Sequence, residues 1–86
     1  MTATGSEDRA RRWYIVVDGQ RLRELRCQRG LRQRELAELA GVSTYTVAKL
    51  ERHQAVSCRT RTLARLAAAL GEKPSAILPG VDQRTD

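Results

Sequence analysis

The sequence predicts an all-α fold, a compact bundle of five short helices. Three observations point to it. Leu63, Leu66, Ala67 and Leu70 fall at i, i+3, i+4 and i+7, an apolar stripe of helical period. Gly30, Gly41 and Gly71 each follow an apolar-patterned segment, where a helix stops most readily. The connections between the segments are short, which favours helices packed on one another around one core.

The elements follow in order. Residues 1–12 are polar and then charged, and read as a disordered basic arm. Trp13-Tyr14-Ile15-Val16-Val17 is aromatic and β-branched, which favours a short extended strand. Left bare, such a strand is an aggregation liability. Either it folds back onto the helices, with Trp13 capping the core, or it pairs with its copy across a two-fold axis. The first is preferred in so short a chain.

Asp18 offers an N-cap to a first helix from Gly19 to about Arg29, with Leu22 and Leu25 on one face. A second helix runs from about Gln33 to Ala40, with Leu36, Ala37 and Ala40 along one side, and Gly41 stops it. Ser43 is an N-cap candidate for a third helix, Thr44 to about Arg52, whose inward positions are Val47 and Leu50. Residues 53–60 read as a polar loop. Thr60 can cap a fourth helix, Arg61 to Leu70, and Pro74 fits the first turn of a fifth that ends near Leu78. The domain is thus expected over residues 13–80, with a disordered polar tail at 81–86. There is no internal repeat.

Composition narrows the function. A chain of 86 residues is one small domain. At that size folding buries only ~60% of the surface an unfolded chain exposes, which disfavours a deep enzymatic cleft. Trp13, Tyr14 and Tyr45 are the only aromatic residues and there is no Phe, so the core must be aliphatic. Lys and Arg number 16 against 10 Asp and Glu, a net charge of +6, and only Lys49 and Lys73 are lysines. That excess of arginine directs attention to nucleic acid or an anionic membrane. The basic residues form two blocks, 9–34 and 43–65, while the C-terminal quarter is slightly acidic.

Other classes are set aside. No stretch approaches the ~18 apolar residues of a membrane span, and the N-terminus does not read as a signal peptide. The expectation is a cytoplasmic chain without a membrane partner. Cys27 and Cys58 make neither metal-ligand spacing nor a disulfide framework, and His53 stands alone. No nucleophile, base and orienting group converge, so no catalytic residue, metal, cofactor or small-molecule ligand is expected.

The informative stretch is Gln33–Arg52. Gly41 supplies the positive φ that a tight turn between two helices needs. With Val47 and Leu50 inward, the third helix leaves Thr44, Tyr45, Ala48, Lys49 and Arg52 outside as one stripe. It combines a hydroxyl, an aromatic ring, a small residue and two cations, with no acid. That set suits base edges and phosphates in a DNA major groove.

These residues resemble the twenty-residue helix-turn-helix of the lambda-repressor-like, Cro-type (XRE) family of bacterial and phage regulators. Ala37, Gly41, Val47 and Leu50 stand at that family's spacing. The resemblance extends from Leu22 to Gly80. It includes the string Arg29-Gly30-Leu31-Arg32-Gln33-Arg34-Glu35-Leu36-Ala37 and the ending Ile77-Leu78-Pro79-Gly80.

The resemblance implies roles. Gln33 is similar to a glutamine that holds a phosphate with its side chain and backbone N–H. Ser43 is similar to a phosphate contact at the head of the recognition helix. Thr44, Tyr45 and Lys49 match base-reading positions. Tyr45 departs from the short amides common there, and can pack on a thymine methyl or reach a phosphate. Arg52 and Arg61 match backbone or minor-groove contacts. Arg26 and Glu51 look like an ion pair that braces the recognition helix.

The function expected is a sequence-specific double-stranded DNA-binding transcriptional regulator that reads the major groove with its third helix. It is not an enzyme. It would act as a homodimer on a near-palindromic site, with half-sites one helical turn, ~34 Å, apart. The alternative is an antitoxin-type protein that binds its own promoter and neutralises a partner toxin. A protein-interaction module that reuses the fold without DNA would show an acidic or uncharged outward face on the third helix, whereas this face carries two cations and no acid.

Overall fold

A computed structural model of the chain describes residues 14–53 and 55–80. The expected arm (1–12), Trp13 and the tail (81–86) lie outside the described residues. The element order is β1 (Tyr14–Asp18), α1 (Gly19–Gln28), α2 (Gln33–Ala40), α3 (Thr44–Arg52), β2 (Ala55–Arg59), α4 (Thr60–Leu70) and a 3-10 helix (Pro74–Ile77).

The first three helices lie where the sequence placed them, to within a residue. Asp18 caps α1 as expected, accepting a hydrogen bond from the Arg21 backbone N–H at 3.1 Å. Two expectations need correction. The five-helix all-α bundle is instead four α-helices with a two-stranded sheet. The fifth segment is only four residues long and closes as a 3-10 turn, with Ala76 N–H donating to Lys73 C=O at 2.9 Å. Pro74 opens it, and so short a run cannot build an α-helical ladder. Thr60 is not a cap either: it is already the first helical residue of α4, and no side chain caps that end.

The segment 53–60, expected as a polar loop, contains β2. It pairs antiparallel with β1, from Tyr14 opposite Arg59 to Asp18 opposite Ala55. This also resolves the strand at the N-terminus. One edge of it is paired within the chain, by a strand about forty residues away in sequence. Side chains alternate across the ribbon as the pleat requires. Val17 and Cys58 are buried and Ile15 and Val56 half-buried against the helices, while Tyr14, Val16, Ser57 and Arg59 face outward. Burial pushes the Cys58 thiol above its usual pKa, so it behaves as a small apolar residue.

The core is aliphatic throughout. Leu22, Leu36, Leu50, Leu66, Leu70, Ile77, Val17 and Val47 are its fully buried members. Each such side chain contributes about 1.5–3 kcal/mol relative to its exposed state. The stripe on α4 supplies four of the buried positions and binds the other elements together. No helix among the described residues is long and apolar enough to cross a membrane.

One close approach fixes the start of α1 against the end of α3. Gly19, the first residue of α1, is buried against the end of α3. A Cβ there would collide with the Leu50 carbonyl oxygen and lie 2.5 Å from that of His53. Both obstacles are backbone and cannot rotate away. Gly19→Ala is therefore expected to destabilise the fold by about 2–3 kcal/mol, at the upper end of overpacking. The urea unfolding midpoint checks it, and an unchanged midpoint would show that the contact is not tight.

Candidate nucleic-acid interface

The turn between α2 and α3 is built by three residues, Gly41, Val42 and Ser43. Gly41 adopts φ 73° and ψ 32°, the left-handed region. Its N–H donates to Glu38 C=O at 3.3 Å, and Val42 N–H donates to Ala37 C=O at 3.0 Å. Val42 is half-buried against the core. Ser43 then starts α3: its Oγ accepts from Thr46 N–H at 3.0 Å and lies 2.9 Å from the Thr46 hydroxyl.

Below the turn, Leu36, Ala37, Ala40, Val47 and Leu50 are buried, so the inward faces of both helices are as the periodicity requires. Thr44, Tyr45 and Arg52 are exposed, and Ala48 and Lys49 half-buried. Tyr45 is 71% exposed, the most open of the large hydrophobic residues. Lys49 Nζ sits 5.9 Å from the centre of the Tyr45 ring. A cation over an exposed ring is worth about 0.5–1 kcal/mol, enough to bias where the ammonium rests.

The outward stripe is held in place from behind. Arg26 of α1 grips Glu51 with two hydrogen bonds, Nε at 2.6 Å and Nη2 at 2.8 Å. Its Nη1 donates to Leu31 C=O at 2.7 Å. Gln33 at the start of α2 adds a third hydrogen bond to Glu51, at 3.1 Å. The side chains of Arg26 and Glu51 are only 11% and 3% exposed. The hydrogen bond to Glu51 raises the Arg26 pKa despite the opposing effect of burial, so the guanidinium stays charged.

Gln33 therefore stands in two roles at once. Its amide nitrogen is engaged by Glu51, while its place at the first turn of α2 keeps it at the surface, half-buried. The glutamine-to-glutamate link was not legible in the sequence, because nothing local relates positions 33 and 51. The same holds for Arg65, whose Nη1 reaches Gly41 C=O at 3.4 Å and ties α4 to the turn. Arg29–Glu72, at 2.8 Å, ties the end of α1 to the end of α4. Arg61 is exposed in the first turn of α4, away from the α3 stripe in sequence. Among the described residues, no group of three or more His, Cys, Asp or Glu side chains is placed to hold a metal ion.

Comparison with known proteins follows the same geometry. A family model described as a helix-turn-helix domain matches residues 19–77, more than half of the chain. Among solved structures, the chain is similar to the restriction-modification controller protein C.AhdI from Aeromonas hydrophila. Sequence identity is 41%, the match covers 67% of this chain and 86% of that one, and the TM-score is 0.63. No curated protein matches the chain. β1 precedes the range matched by the family model, and β2 lies within it.

The Arg26–Glu51 pair makes a direct prediction. Arg26→Ala leaves a buried carboxylate with only Gln33 for company, and is expected to cost about 3–5 kcal/mol. Glu51→Gln keeps hydrogen-bonding atoms in place and should cost less. Urea unfolding of both variants checks the order, and an Arg26→Ala midpoint equal to the parent's would contradict it.

Proposed function

This chain belongs to the helix-turn-helix domain family, and from that premise we propose that it is a sequence-specific double-stranded DNA-binding transcriptional regulator. The observation that carries the proposal is the outward face of α3. It presents Thr44, Tyr45, Ala48, Lys49 and Arg52 without a carboxylate, on a helix whose opposite face is fully buried. A helix of this size fits the major groove of B-DNA, where each base pair displays its own pattern of donors and acceptors.

The work divides by residue type. Thr44, Tyr45 and Lys49 face the bases. Lys49 supplies an ammonium for guanine O6 and N7, and the Tyr45 ring offers an apolar surface to a thymine methyl. Ser43, Gln33, Arg52 and Arg61 contact phosphates, which position the domain and supply affinity without reading sequence. The net charge of +6 strengthens this term and makes it salt-dependent. The expected assembly is a homodimer on a near-palindromic site.

The likeness to a protein described as a controller supports a regulator over the antitoxin alternative. From Tyr14 onward the Trp13–Val17 stretch pairs with β2, and Val17 is buried against the helices.

Selection of bound sites from random duplex DNA tests the proposal. A recovered consensus supports it, and its symmetry reports the assembly. Recovery of no consensus would overturn sequence specificity. On the selected site, Lys49→Ala is expected to cost about 1–3 kcal/mol of binding, with little loss on random duplex. Equal losses on both would remove Lys49 from the base-reading set.

A further inference from the structure

The arginines of the first helix and its C-cap divide by what they touch. Arg21 lies 3.5 Å from Glu24, Arg26 grips Glu51, and Arg29 meets Glu72 at 2.8 Å. Arg23 is exposed, and among the described residues it makes no ion pair or hydrogen bond. It is not isolated, however. It lines a cleft of about 290 Å³ together with Arg26, Gln33, Ala48, Glu51 and Arg52. Three helices meet there: α1, the first residue of α2, and the outward face of α3.

The charge of the cleft is unbalanced. Its one carboxylate, Glu51, is fully engaged by Arg26 and Gln33. Arg23 and Arg52 remain as two uncompensated cations, both exposed. Ala48 lines the cleft with them, and its methyl takes up little room. Ala48 also belongs to the stripe of Thr44, Tyr45 and Lys49, so a duplex docked on that stripe passes over the cleft. The nearest part of such a duplex that matches two guanidinium groups is a backbone phosphate, which planar N–H forks bind well.

We propose that Arg23 and Arg52 together hold one backbone phosphate of DNA docked on α3, which makes α1 part of the binding surface. The proposal rests on the DNA-binding reading. Its consequence is geometric. A contact from outside the helix-turn-helix adds a second fixed point, and the two together set the angle at which α3 enters the groove.

The test is the salt dependence of binding by the full chain, on a random-sequence duplex and on the selected site. Arg23→Ala should lower affinity by a similar factor on both, and flatten the slope of log K against log salt by about one unit. Arg23→Lys should keep the slope while losing part of the affinity, because the charge remains and the fork is lost. Thermal unfolding of both variants should match the parent, since Arg23 is exposed. An unchanged slope in Arg23→Ala overturns the proposal, as does a loss confined to the selected site. The two readings are separable. If the unaltered chain binds neither duplex, the DNA-binding reading fails with this one. If it binds with a slope that Arg23→Ala leaves untouched, only the phosphate assignment falls.

Discussion

Glu51 sits near the end of a nine-residue helix with its side chain only 3% exposed. An isolated ion in that position would be costly by several kcal/mol. It is tolerated because Arg26 approaches from α1 with two N–H groups and Gln33 approaches from α2 with a third. One buried acid thus ties three helices together. The attraction of such a pair is largely offset by desolvation, so its main effect is on position rather than on stability. With Glu51 fixed, the rotation of α3 about its own axis is fixed as well, and the neighbouring stripe of Thr44, Tyr45, Ala48, Lys49 and Arg52 is held outward.

The same end of α3 is also held by backbone. Asp18 is paired with Ala55, so the start of α1 lies beside the end of α3. Gly19 lets the two chains approach closer than any side chain would permit. Beyond it, β1 and β2 close a two-stranded ribbon over α4 and bury Val17 and Cys58. The turn end is held by Ser43 capping and by Arg65 on the Gly41 carbonyl. A reading helix is thereby restrained at both its start and its end, which is what preorganised contact with a groove requires.

Much of this was legible in the sequence, because it is local. Gly41, the Ser43 cap and the spacing of Leu36, Ala37, Val47 and Leu50 specify the two helices and their turn from neighbours alone. The stripe on α4 is equally local. β2 was not legible as a strand. Ala55-Val56-Ser57-Cys58-Arg59 is short and mostly small or polar, and its partner lies about forty residues away. Its only local trace is the alternation of Val56 and Cys58 with Ser57 and Arg59, a period of two over very few residues. The apolar β1 did signal that it had to be covered, but the cover expected was the helices or a second copy rather than a strand of the same chain. The Gln33–Glu51 bond and the shared cleft of Arg23 and Arg52 were hidden for the same reason: they come from helices meeting in space. Pro74–Ile77 shows the limit of a cap signal, since Pro74 starts a turn correctly and says nothing about its length.

The central claim is that the exposed face of α3, supported by α1 and the head of α2, is the surface that meets DNA. Backbone amide chemical shifts of the chain, titrated with the duplex recovered by selection, test it most directly. The account predicts that the largest changes fall on residues 43–52, with Gln33 and Arg23 beside them, and that the outer face of the ribbon at Tyr14 and Val16 changes least. Changes concentrated on the ribbon, with α3 undisturbed, would contradict it.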